Sequence, residues 1–424
     1  MRRLLLLAGG GAAAAALAFG ALAMRRADAR PADAGAEVAT LSRSIAFFEQ
    51  RLAADPENFL AAGHLADRYL LRYQLAAGEG DVRRAEQVAH AALRVAPNRA
   101  GAFARLSSIH LTQHEFADAL SAAEQGVAAD SADAAALAAL YDAAMASGRY
   151  GRAMWAAGRL PVGSPAREIR TAGWLAAQGE VQAAHAMLER TCQGFRDESL
   201  RPQMVAWCLT ELAGLRNDAR GPAAARALLN EALRVQPGYR GAVEGLAALA
   251  HAEGDWKESA RLYGSIASDA HPDIHLRLAE AHRALGDPAA AARHEQAFLR
   301  VASRPESEPL HAHPLALFYA AAPATRDAAL AVAMRDVRRR PVVESWDVLS
   351  WVRFQRGELG QALAASDSAA AWGAPSPTMQ YHRARILRAL GREGEAAPLL
   401  REALRRPDLL EPEVRRELSA SRGG

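Results

Sequence analysis

The chain has 424 residues, half of them apolar but only 6% aromatic, so its hydrophobic content is largely Ala and Leu, strong helix formers. Its formal charge is +3, and of 51 basic residues only Lys257 is lysine. Without Arg2 and Arg3, which would leave with an export segment, 49 basic residues face 48 acidic ones, a balance that leaves no electrostatic footprint for a nucleic-acid partner.

From Leu4 to Ala23 run twenty uncharged residues between a basic start and Arg25-Arg26. Ala21-Leu22-Ala23 supplies the small-x-small pattern that a signal peptidase needs, so residues 1–23 are expected to be a signal peptide. The alternative is an uncleaved membrane anchor, since twenty helical residues reach about 30 Å. Either reading puts the body of the protein outside the cytoplasm. It would be periplasmic, or anchored in the inner membrane facing the periplasm, with membrane contact only through residues 1–23. Residues 24–36, with Asp, Ala, Arg, Pro and Gly, read as a flexible spacer.

Beyond the spacer a pattern recurs about every 34 residues, so a helix-turn-helix array is predicted over 37–410. "ALRVAPNRAGA" from Ala92 and "ALRVQPGYRGA" from Ala232 match at seven of eleven positions. Turn glycines fall at Gly148, Gly179, Gly254, Gly286, Gly357 and Gly391, and prolines close units at Pro56, Pro97, Pro237 and Pro341. Glycine supplies the left-handed backbone that ends a helix, and proline cannot continue one. The opening stretch from Glu37 reads as a half-unit, and the unit from Glu57 to Arg99 carries about seven extra residues around "RYQLAAGEGD". Near Pro161 and Cys192 the pattern is irregular. The segment 303–314, "SRPESEPLHAHP", is expected to hold no helix and to hinge two parts of the array, 37–302 and 315–410. Residues 411–424 read as a polar tail.

These positions resemble the tetratricopeptide repeat (TPR), in an exported or membrane-anchored bacterial form. Its offsets are met by Phe103, Leu106, Ser107, Phe116 and Ala119; by Val243, Leu246, Ala247, Gly254, Trp256 and Tyr263; and by Trp346, Leu349, Gly357 and Ala362. The resemblance implies an all-α, right-handed α-solenoid of about ten repeats. It also implies a non-catalytic scaffold that binds a protein or peptide partner in a concave groove lined by first helices. The carboxylate clamp known in the family needs Lys and Asn on first helices, and the four asparagines here lie in turns or away from those positions. An accessory or regulatory subunit of an envelope enzyme, transporter or polysaccharide system is the alternative.

Projected onto this chain, the family's groove offsets give small residues early, such as Gly101, Ala104, Ala135, Ala138, Ala166 and Gly173. Later they give Glu244, His251, Glu280, Arg283, Asp347, Trp351, Phe354, Tyr381, Arg385 and Arg388, which are the expected partner-binding residues. Trp, Tyr and Arg most often carry interface energy. The competing reading has Trp351 and Phe354 filling space between helices, and Arg385 with Arg388 forming a solvated face.

No catalytic residue, cofactor or metal is expected. "HEFAD" at His114 and "HEQAF" at His294 lack the second His of a zinc-protease helix, and a phosphate-binding loop lacks its lysine. The pairs His110 with His114, His271 with His275, and His311 with His313 read as solvated or capping histidines. Cys192 and Cys208 are sixteen apart. Placing Cys192 near a helix end and Cys208 six residues into the next helix leaves about 9 Å between them, which favours two buried, unbonded cysteines over a disulfide.

Overall fold

The computed structural model describes residues 34–76, 79–197, 202–219, 221–268, 271–305, 307–372, 376–404 and 410. The expected export segment, most of the spacer and the C-terminal tail lie outside the described residues. Among the described residues there are twenty-one α-helices, one short 3-10 turn and no strand, as the periodicity implied. No helix among them is long and apolar enough to cross a membrane.

Contacts divide the described chain into two compact units. The first runs to Ala176 and from Glu180 to Gly245, and the second holds Ala177–Gly179 and everything from Leu246 on. The division falls within a helix, and the Pro-rich 303–314 lies inside the second unit rather than at its edge.

The first unit opens with α1 (Ala34–Ala54), which packs on the hairpin of α2 (Phe59–Ala76) and α3 (Glu79–Val95). Next come α4 (Ala100–Thr112) with α5 (Phe116–Ala129), and α6 (Ala134–Ala146) with α7 (Tyr150–Arg159). Then follow α8 (Pro165–Ala177), α9 (Val181–Asp197), α10 (Pro202–Ala219), α11 (Pro222–Val235) and α12 (Arg240–Glu253), within which the division falls. The hairpins α2–α3, α4–α5 and α6–α7 pack on themselves, and first helices meet the next first helix: α2 touches α4, and α4 touches α6. That is TPR-like stacking.

α6 shows why these segments are helices. Its sequence AAALAALYDAAMA has no β-branched residue, and the Asp133 carboxylate accepts the Ala136 N–H at 2.8 Å. Gly148 ends it at φ +69°. Apart from Asp142, which pairs with Arg170, it is apolar because it is buried on several sides, with Leu137, Leu140 and Ala144 almost inaccessible to solvent. Alanines at its contacts let α5 and α7 approach closely, and truncating Leu140 to Ala would cost about 2–5 kcal/mol.

All six turn glycines expected from the sequence have positive φ, between 69° and 84°. The repeated eleven-residue phrase also has one backbone in both copies. Ala96 N–H bonds Ala92 C=O at 2.9 Å and Gln236 N–H bonds Ala232 C=O at 2.8 Å, each closing a second helix before the next first helix begins. The extra residues near "RYQLAAGEGD" go chiefly into longer helices, 18 and 17 residues in α2 and α3 against 13 and 14 in α4 and α5.

In the second unit, α13 (Trp256–Ile266) precedes the hairpins α14 (Asp273–Ala284) with α15 (Pro288–Ala302), α16 (Glu308–Ala320) with α17 (Arg326–Arg339), α18 (Val343–Gln355) with α19 (Leu359–Ala370), and α20 (Pro377–Ala389) with α21 (Glu393–Leu404). α16 corrects the expectation that 303–314 holds no helix. Pro309 falls in the first turn, where no intrahelical donor is required. Pro314 is accommodated because His311 leaves helical angles (φ −119°, ψ 20°) and bends the chain.

The structure also corrects the cysteine expectation. Cys192 and Cys208 form a disulfide with Cα atoms 5.6 Å apart, joining α9 to α10. The estimate from sequence placed Cys192 at its helix end, whereas α9 continues five residues past it to Asp197. Cys208 lies six residues into α10, so in antiparallel neighbours both cysteines stand about equally far from the turn.

Candidate functional site

The last two described hairpins bring five of the ten expected residues together. Trp351 on α18 is the centre. Its ring stacks on Phe354 one turn on, with centroids 5.0 Å apart, and on His382 of α20 at 4.2 Å, while Tyr381 is tilted against it at 6.3 Å. Asp347 holds His382 in place, with Oδ2 3.0 Å from Nδ1. Arg385 donates from Nη1 to the Tyr381 hydroxyl at 2.7 Å and lies over the rings of Phe354 and Tyr381 at 5.7 and 5.6 Å.

This cluster is mostly closed, so the expectation that Trp351 and Tyr381 are open groove anchors needs correcting. Trp351 is 5% exposed and Tyr381 2%, and Asp347 is buried. Trp351 and Tyr381 pack in one apolar cluster with Ala403 and Leu410, bordered by Leu317, Leu400 and Leu404. The rings of α18 and α20 meet one another and are thereby withdrawn from solvent. Phe354 and Arg385 remain half-buried and reachable at the edge. Arg388 is exposed and paired with Glu393 at 3.1 Å.

Glu280 and His251 form a separate cluster. His251 Nε2 is 2.9 Å from Glu280 Oε2, its Nδ1 is 3.0 Å from Ser259 Oγ, and the Trp256 ring packs perpendicular to it with centroids 5.0 Å apart. Both partners of the pair are buried, so they form an internal tie between α12 and α14 rather than a groove surface. Arg283 is exposed and paired with Glu295. Glu244 is half-buried in the first unit beside Arg240, whose pKa is lowered by burial and partly restored by the Glu244 charge.

The histidines are not the solvated or capping groups expected. His313 is buried, 2.7 Å from Asp336 Oδ2 and 3.0 Å from Ser345 Oγ. Burial alone would raise the Asp336 pKa, but the charges and hydrogen bonds of His313 and Arg340 hold it below the carboxylate range. His311 bonds Asp273 at 3.0 Å, and His275 stacks on His294. His110 and His114 part company because α4 ends at Thr112 and His114 takes φ +58°. Instead His110 joins Glu86 and His90 of α3 in a group offering three ligand atoms within 4.8 Å of one another.

Sequence reasoning missed His382, although its separation of 35 residues from Asp347, one repeat length, was a usable signal. It also missed Glu211 of α10. Desolvation raises this carboxyl to about 8, and its charge adds to the burial that raises the Tyr239 hydroxyl.

No protein-family model matches the chain, and no curated protein matches it. Among solved structures, the human IFIT1 dimer with PPP-AAAA is 14% identical over 74% of this chain and 72% of that one, with a TM-score of 0.48. The human IFIT1 dimer with m7Gppp-AAAA has a TM-score of 0.49 at 14% identity, covering 78% and 76%. A tetratricopeptide repeat protein from Parabacteroides merdae ATCC 43184 has a TM-score of 0.34 at 17% identity, covering 60% and 96%. Likeness at this level is silent on ligand and partner. By their own hairpins, turn glycines and first-helix stacking, the described residues form an all-α fold of tetratricopeptide-like helix-turn-helix repeats.

Proposed function

We propose that this chain is a non-catalytic scaffold of the cell envelope that binds a protein or peptide partner along the first helices of its last hairpins. The observation that carries this reading is the Phe354–Arg385 edge. There a guanidinium lies across two aromatic rings, with Trp351 and His382 packed behind as a rigid base. Arg and aromatic side chains held this way are pre-organised, so a partner's carboxylate or apolar side chain docks with little ordering cost. The near-balanced charge favours protein over nucleic acid. The apolar segment from Leu4 to Ala23 supports export, and the Cys192–Cys208 bond fits an oxidising compartment.

The test is co-purification from membranes, followed by affinity and thermal stability of Phe354→Ala and Arg385→Ala against the recovered partner. Binding weakened tenfold or more at nearly unchanged stability supports the reading. Unchanged binding in both variants places the interface elsewhere. Intact protein found only in the soluble cytoplasm would overturn the envelope assignment.

A further inference from the structure

Three ligand-bearing side chains of the first unit, Glu86, His90 and His110, converge across two successive hairpins. Glu86 and His90 stand one turn apart on α3, with Glu86 Oε1 3.9 Å from His90 Nε2. His110 reaches them from α4, so that one donor atom of each lies within 4.8 Å of the other two. Two ligands at about 2.0–2.2 Å from a tetrahedral ion stand about 3.4 Å apart, so small side-chain rotations close this group onto one metal.

Two of the three side chains are held by neighbouring groups. His110 Nδ1 is 2.6 Å from Glu115 Oε2, a contact in which the Nδ1–H tautomer donates to the carboxylate. That tautomer leaves the Nε2 lone pair for a metal, the carboxylate–histidine–metal relay by which a second carboxylate orients an imidazole and raises its basicity. Gln113 Nε2 donates to Glu86 Oε2 at 3.0 Å, fixing that carboxylate from its other oxygen. His110 is buried, Glu86 half-buried and His90 exposed, so the group has a firm base and a route of entry.

We propose that Glu86, His90 and His110 bind a divalent transition-metal ion, with Glu115 as the positioning residue of His110. Two neutral imidazoles and one carboxylate are borderline donors that suit zinc and disfavour magnesium or calcium, which take all-oxygen shells. Three protein ligands leave a fourth position for water or for a side chain of a partner. Because the ligands come from α3 and α4, the ion would fasten two successive hairpins.

The experiment uses the full chain in detergent, without a polyhistidine tag, stripped with a chelator and titrated with zinc chloride by calorimetry. The expected result is one ion per chain with micromolar or tighter affinity, undisturbed by millimolar magnesium. His90→Ala, at an exposed position, should weaken binding at least tenfold while leaving the circular dichroism spectrum unchanged. Glu115→Gln should weaken it by about tenfold at unchanged stoichiometry. His275 and His294, whose Nδ1 atoms are 3.0 Å apart, are the rival site. No zinc binding at 100-fold above micromolar, or full binding by His90→Ala with loss in His294→Ala, overturns the proposal.

Discussion

His382 lies flat against Trp351, ring centroids 4.2 Å apart and planes within 18°, with its Nδ1 held by Asp347. Trp351, one of the ten expected partner-binding residues, is therefore clamped by its neighbouring hairpin. Trp351→Ala should lower stability by about 3–5 kcal/mol, as expected for emptying a buried aromatic site. Denaturant unfolding beside partner affinity checks this, and a variant that loses binding at full stability would restore Trp351 as a direct anchor.

Glu211 gives the fold a pH dependence of definite sign. The native state keeps its proton up to about 8, while the unfolded chain releases it near the ordinary 4.5. Between those values the unfolded state binds fewer protons, so this group's contribution is fully present below pH 4.5 and is lost as pH rises to 8, at no more than about 1.4 kcal/mol per pH unit. Glu211→Gln should remove that slope, its advantage over the parent growing from pH 5 to pH 8 in denaturant midpoints. A difference that stays flat across that range would show that the carboxyl ionises normally.

The Cys192–Cys208 bond closes a loop of sixteen residues between α9 and α10. Shortening the disorder of the unfolded chain by a loop of this size stabilises the native state by about 3 kcal/mol in the chain-entropy account. Unfolded, unreduced protein should show no free thiol, and reduction or paired Ser substitution should lower the melting temperature. Two titratable thiols in protein from its native compartment would argue against the bond.

His114 occupies the turn place that six other hairpins give to glycine, at φ +58°. Its ring packs edge-on against Phe116 at 5.5 Å, which offsets part of the backbone cost. His114→Gly should be tolerated, whereas His114→Val, branched at Cβ and disfavoured at positive φ, should cost about 1–3 kcal/mol. Equal stability of the two variants would mean that the turn relaxes to an ordinary backbone.

The sequence by itself determined the repeat. Period, turn glycines and closing prolines are local statements about where a backbone can and cannot stay helical, and the matched phrases at Ala92 and Ala232 fold into the same helix-end and helix-start geometry. What lay open was how side chains on different hairpins meet. A groove offset names the face of one helix, but burial is decided by what the neighbouring helix projects into the same space. Hence Trp351, Tyr381, His251 and Glu280 became interior contacts while Phe354 and Arg385 kept an edge. The cysteine distance failed for a related reason, because five more residues of α9 beyond Cys192 set the level at which two antiparallel helices are compared. Only tertiary structure could join Glu86, His90 and His110. Their separations of 4 and 20 residues carry no repeat signal, and their meeting depends on the rotation of α4 against α3.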